Sequence, residues 1–140
     1  MKAEQALKIL KVNRVTLHRY VASNKIKAIK LETGRYEYDD DSVWSVAGFP
    51  NRIECAYICC IDGGDINDLK NKLEDTDLNH NKMGLFCDYN DSRPALKAMV
   101  REIVNHKIKT LYLYRKEDLP IFDVWKVAFN RAGCEIKILN

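Results

Sequence analysis

The sequence holds no run of about eighteen apolar residues, the length a membrane-crossing helix needs. The opening Met1-Lys2-Ala3-Glu4-Gln5 lacks the apolar stretch of a signal peptide. An intracellular protein, cytoplasmic or nuclear and without a membrane partner, is the expectation. No Cys-x-x-Cys occurs, and the histidines are His18, His80 and His106. Zinc would need paired ligands at short spacing, so no metal site is expected. Gly63-Gly64 is too short for a phosphate-binding fingerprint, and neither Gly-x-x-x-x-Gly-Lys-Ser/Thr nor Gly-x-Ser-x-Gly occurs. No cofactor is expected. Internal repeats and low-complexity tracts are also missing.

What is there is a globular composition: 140 residues, 46% hydrophobic and 31% charged. That length allows one average domain or two small ones. Cys55, Cys59, Cys60, Cys87 and Cys134 are odd in number, and four lie in apolar, strand-like runs. They read as reduced core thiols, with a reactive thiol at Cys59 or Cys60 as the alternative. Net charge is +3. Residues 1–35 carry nine Lys/Arg against Glu4 and Glu32, a local balance of +7, while residues 36–140 balance to −4. A local cationic excess is what phosphate contact requires, although a solvated basic helix would show it too.

Ala3, Ala6, Leu7, Ile9 and Leu10 recur with helical spacing. Asn13 is an expected N-cap for a second helix over residues 14–23. That helix is expected to bury Val15, Leu17 and Tyr20 or Val21, and to leave Arg14, Thr16, His18 and Arg19 outward. Two short helices and a tight turn make a helix-turn-helix. Residues 24–30 then alternate, Thr33-Gly34 can turn, and Arg35-Tyr36-Glu37-Tyr38 alternates again. This predicts a hairpin, or wing, carrying Lys25, Lys27, Lys30 and Arg35. Tyr20 and Ile26 are expected in the core, and His18 reads as a surface histidine. Asp39-Asp40-Asp41 opens a short helix with acid at its positive end.

The run from Ala6 to Tyr20 followed by Lys25-Ile26-Lys27-Ala28 resembles the MerR/excisionase-type DNA-binding headpiece. Gly34-Arg35-Tyr36-Glu37-Tyr38-Asp39 is similar to its wing, with fewer basic residues. The resemblance covers about 45 residues and implies that Arg14, Thr16 and Arg19 meet the major groove. Lys25, Lys27, Lys30 and Arg35 would hold phosphates.

Residues 47–52, Ala-Gly-Phe-Pro-Asn-Arg, read as a linker between residues 1–46 and 53–140. Strand-like runs follow at 53–61, 83–87, 108–114 and 135–139. Helical ones fall at 65–78, 94–105 and 119–132, with Gly133 closing the last. This βαβαβαβ order predicts a small parallel-sheet α/β domain with helices on both faces. The whole fold class is therefore α/β, a winged helix-turn-helix joined to that domain. The first βα loop is the natural place for a site.

Tyr57-Ile58-Cys59-Cys60-Ile61 and Asp68-Leu69 resemble the serine recombinase (resolvase/invertase) catalytic domain. In that family the first strand reads Tyr-Ala-Arg-Val-Ser, and an Asp-Leu pair follows seven and eight residues after the serine. Asp88, Arg93-x-x-Leu96 and the segment from Tyr114 to Phe122 are similar to later parts. A headpiece placed before such a domain resembles the transposases of a class of small insertion sequences. The departures decide what the resemblance implies. Ile61 stands at the nucleophile and has no oxygen with which to attack a phosphodiester. Cys59 stands at the strand arginine, and Asp118 and Ile121 at two later arginines. Arg93 is the retained one. Loss of one transition-state donor alone costs about 3 kcal/mol. The chain also stops where the family continues into assembly helices, which leaves its assembly open.

The expected function is therefore a DNA-binding protein of the recombinase type without activity, a pseudoenzyme. It would regulate transcription or assist recombination on double-stranded DNA, as a homodimer or beside an active recombinase relative. The alternatives are an active site-specific recombinase, with Cys60 as a rescued nucleophile, and a protein-interaction module with no nucleic-acid role.

Overall fold

A computed structural model of the chain describes residues 1–61, 63–75 and 83–139. Residues 76–78 of the expected helix over 65–78, and His80, lie outside the described residues. The chain divides into two compact units, Met1–Asn51 and Arg52–Asn140.

The first unit holds α1 (Ala3–Leu10), α2 (Arg14–Ala22), β1 (Ala28–Lys30), β2 (Tyr36–Tyr38) and α3 (Asp40–Val46). Ala6, Leu17, Ile26, Tyr38 and Val43 form its core, with Tyr20 and Val21 packed against them. Asn13 caps α2, its Oδ1 accepting from the Thr16 N–H at 2.9 Å. Asn13→Ala is expected to cost this unit about 1 kcal/mol, the usual worth of such a cap, read by urea unfolding. Val15 corrects an expectation: it is 60% exposed. It shares the i, i+4 row of Arg19, so it points away from the Leu17 face. The first strand also starts later than its alternation suggests. Asn24 takes a left-handed φ of 61°, and the N–H groups of Lys25 and Ile26 both donate to the Tyr20 carbonyl. Residues 24–26 thus finish α2 before the ladder begins.

β1 and β2 pair antiparallel, Ala28 opposite Tyr38 and Lys30 opposite Tyr36. The turn between them closes through Leu31 N–H to the Arg35 carbonyl at 2.7 Å, with Gly34 at φ 82°. Behind the hairpin, Ser42 Oγ accepts from Lys27 N–H at 3.1 Å. The Lys27 carbonyl accepts from Asp39 N–H at 2.9 Å, which pins the hairpin to α3.

The second unit runs β3 (Ile53–Cys59), α4 (Ile66–Glu74), β4 (Gly84–Asp88), α5 (Pro94–Val104), β5 (Ile108–Leu113), a 3-10 turn (Lys116–Asp118), α6 (Phe122–Arg131) and β6 (Glu135–Ile138). Its four strands are all parallel, in the order β4-β3-β5-β6. Strand alternation sorts the two faces. Cys55, Tyr57, Leu111 and Leu113 meet Leu96, Met99 and Ile103 of α5 and Phe129 of α6. Ala56, Ile58 and Tyr112 meet Leu69 and Leu73 of α4. Helices therefore cover both faces, as parallel sheets require.

Two boundaries differ from the periodicity. α6 starts at Phe122 and not at 119, because Ile121 takes a left-handed φ of 49° after the 3-10 turn and Pro120. Leu119 is still buried. β4 extends to Asp88, a charged residue that is 1% exposed. Its reason is α5, whose own N-cap Arg93 provides no side-chain bond. Asp88 Oδ1 accepts from Ala95 N–H at 2.8 Å, and Oδ2 from Leu96 N–H at 2.9 Å and Tyr57 Oη–H at 2.9 Å. A strand-end carboxylate thus caps the helix from a distance, where the helix dipole also favours negative charge. The chain turns tightly after β3: a Cβ on Gly64 would fall 2.6 Å from the Cys59 carbonyl oxygen.

Candidate nucleic-acid interface and the strand-end centre

In the first unit, Arg14, Arg19, Lys25, Lys27, Lys30 and Arg35 are exposed, and Thr16 is half-buried. Arg14 from α2 and Arg35 from the hairpin line one concavity of about 1050 Å³, together with His18, Tyr36, Glu4 and Glu37. The His18 and Tyr36 rings meet edge-on at 6.4 Å, bridging helix and hairpin. Lys30 Nζ sits 6.0 Å from the Tyr36 ring centre, and Lys25 Nζ 5.4 Å from that of Tyr20. Both contacts fall in the cation–π range and leave the ammonium groups at the surface. The pairing of His18 with Tyr36 was not legible in sequence, because it joins separate elements.

In the second unit, the β3-α4-β4 connection runs one way from β3 and α5 carries the chain back past it to β5. The crevice between the β3 and β5 ends is the switch point where open α/β sheets place their sites. Ile61 lies in the turn at that edge, half-buried and packed against the α5/α6-side core. Beside it the structure gathers residues that sequence reasoning had not joined. Asp118, 2% exposed, accepts from Arg115 through Oδ1, at 3.0 Å from Nη2 and 3.3 Å from Nε. Its Oδ2 accepts from the Arg115 N–H at 3.2 Å. Arg93 Nη1 donates to the Asp118 carbonyl at 2.8 Å, and Arg115 Nη2 approaches the Cys59 carbonyl at 3.5 Å. Two arginines therefore converge at the strand ends, and an internal carboxylate engages one of them directly. Burial pushes the Asp118 carboxyl above its ordinary range, against the pull of Arg115. Arg115 was missed as a site residue. Its signal was the i, i+3 spacing to Asp118, which reads equally as a surface pair.

On the α4 side, Tyr114 Oη–H donates to Asp68 Oδ2 at 2.5 Å, and Lys72 Nζ lies 3.4 Å from the same oxygen. The tyrosine bond and the lysine hold the Asp68 carboxyl below its usual range. The cysteines need a correction. All five are free, and Cys55, Cys59 and Cys134 are buried, but Cys60 and Cys87 are half-exposed. Burial and its contact with Cys87 push the Cys60 thiol up to about 12. That is the reverse of what a nucleophile at neutral pH requires.

No helix among the described residues is long and apolar enough to cross a membrane. The second unit is an α/β fold, a parallel sheet in the order β4-β3-β5-β6 with helices on both faces. No family model matches the chain, and no curated protein does. Among solved structures, the first ORF in transposon ISC1904 from Sulfolobus solfataricus P2 shares this fold. It matches over 63% of this chain and 67% of its own, with 16% identity and a TM-score of 0.53. The C-terminal catalytic domain of ISC1926 TnpA, an IS607-like serine recombinase, matches over 62% of this chain and 69% of its own. There the identity is 14% and the TM-score 0.49.

Proposed function

We propose that the chain binds double-stranded DNA through residues 1–46, used as a MerR-like winged helix-turn-helix. Residues 47–52 link it to a serine-recombinase-like domain, 53–140, that does not cut DNA. The observation that carries the binding half is the shared concavity of Arg14 and Arg35, which offers helix and hairpin cations on one side. Arg14, Thr16 and Arg19 would face base edges, and Lys25, Lys27, Lys30 and Arg35 the phosphates. Support for the inactive half is chemical. Ile61 offers no nucleophile, Cys60 is held as a thiol, and Asp118 places a negative charge on Arg115 where a phosphoryl group would need that cation. The protein would then act as a regulator or recombination accessory. A second copy, or an active recombinase relative, would add a second headpiece and sharpen an otherwise loose grip.

Two measurements test this. Fluorescence anisotropy on a duplex, across a salt series, should give a log–log slope of about −3 to −4, near 0.9 for each of four phosphates held. Each alanine at Lys25, Lys27, Lys30 or Arg35 should flatten it by about 0.9. Lack of binding at low salt, with the first unit folded, would favour a protein-interaction module. A supercoiled two-site plasmid should stay uncut. A covalent protein–DNA link, abolished by Cys60→Ala, would instead make the chain an active recombinase.

A further inference from the structure

Cys59 and Cys60 are sequence neighbours that point to opposite faces of the sheet. Cys59 lies in the core under α5 and α6, and Cys60 packs on the α4 side with Cys87. There the Cys60 and Cys87 sulfurs stand 3.4 Å apart. The two strand ends are already fixed as neighbours, since Ile58 pairs with Cys87 and Cys60 N–H donates to the Asp88 carbonyl at 2.8 Å. Both side chains are half-exposed, unlike the other three cysteines.

Two chemistries suit paired thiols. A tetrahedral zinc site would hold its sulfurs about 3.8 Å apart, from Zn–S bonds of about 2.3 Å, and would need two further ligands. Among the described residues no group of three or more His, Cys, Asp or Glu side chains is placed to supply them. A disulfide needs no further ligand, only that the sulfurs close from 3.4 Å to about 2.05 Å.

We propose that Cys60 and Cys87 are a modification site, forming an intramolecular disulfide that ties the end of β3 to β4 across the α4 crossover. With a peroxide as oxidant, one thiol takes an oxygen, becoming a sulfenic acid as one water leaves. The second thiol then displaces that oxygen as another water, and the S–S bond forms. The protein loses two hydrogens, and the peroxide is reduced to two waters. The attacking species is a thiolate, and the Cys60 thiol is held high. Oxidation that starts at Cys60 is therefore slowed at neutral pH and is expected to speed up as pH rises. That behaviour belongs to a locking bond more than to a rapid sensor.

The experiment uses the full reduced chain, treated with hydrogen peroxide and then counted for thiols in denaturant. The expected result is a fall from five thiols to three. One cross-linked tryptic species should join residues 53–70 to the peptide beginning at Met83. The link should vanish in Cys60→Ser and in Cys87→Ser and persist in Cys59→Ser. A link that needs Cys59, a link between two chains, or five thiols remaining after oxidation at alkaline pH would each overturn the proposal.

Discussion

Exchanging Arg14 and Arg19 together for glutamate is expected to weaken duplex binding by about a hundredfold or more. An arginine that reads a base pair or clasps a phosphate contributes roughly 1–3 kcal/mol, and the two sites together make a factor of this size. Reversal adds repulsion to the loss, because the glutamates would face the same phosphate backbone. Both side chains are exposed on α2, so the exchange leaves the Leu17 core untouched. The control is His18→Ala, which should change affinity less, since it removes no permanent charge. Anisotropy at fixed salt separates the outcomes. Unchanged binding by the double variant, with helicity retained, would remove α2 from the interface and with it the major-groove reading.

The largest stability effect is expected at Asp88. Its carboxylate is buried and accepts from Tyr57 Oη–H and from the Ala95 and Leu96 N–H groups. Asp88→Ala would leave all three donors without that acceptor, and each buried unpaired donor costs about 1–3 kcal/mol. A loss of at least about 3 kcal/mol would follow, a large part of what a domain of this size holds in reserve. Tyr57→Phe removes one of those donors along with its bond, and so should cost only about 1 kcal/mol. Asp88→Asn keeps one accepting oxygen but turns an NH2 toward a backbone N–H, and should fall between the two. Urea unfolding of the three variants gives the order. An Asp88→Ala variant as stable as the parent would mean that α5 is capped by something other than this carboxylate.

The α/β unit was largely legible because its signals are local and repeated. Apolar runs alternate with 3.6-residue patterns, and turn residues punctuate them, so the βαβαβαβ order could be read directly. What failed to read was long-range. The sequence placed Asp88 just past a strand and gave it no bonding role, because its partners lie across the sheet at Tyr57 and further along at residues 95 and 96. Asp118 stands in sequence only at a family arginine position and Arg115 was not singled out, because their meeting near the β3 end depends on the crossovers. Val15 misled because a single β-branched apolar residue on a basic helix weighs toward burial in any periodicity count. In the first unit, the exposure of Arg14 and Arg19 followed from the pattern. The concavity that Arg14 shares with Arg35 depends on how the hairpin folds back, which no spacing rule gives.

The carboxylate residue above the sheet has a mechanical side as well. Asp118 is held by Arg115 through its side chain and by Arg93 through its main chain, and Arg115 reaches on to the Cys59 carbonyl. The segments leaving β3, β4 and β5 are thus latched to one point. Those bonds join the three segments to one another before anything touches them. A partner docking there would lose little freedom in ordering the loops, so even a small contact area could hold it for long.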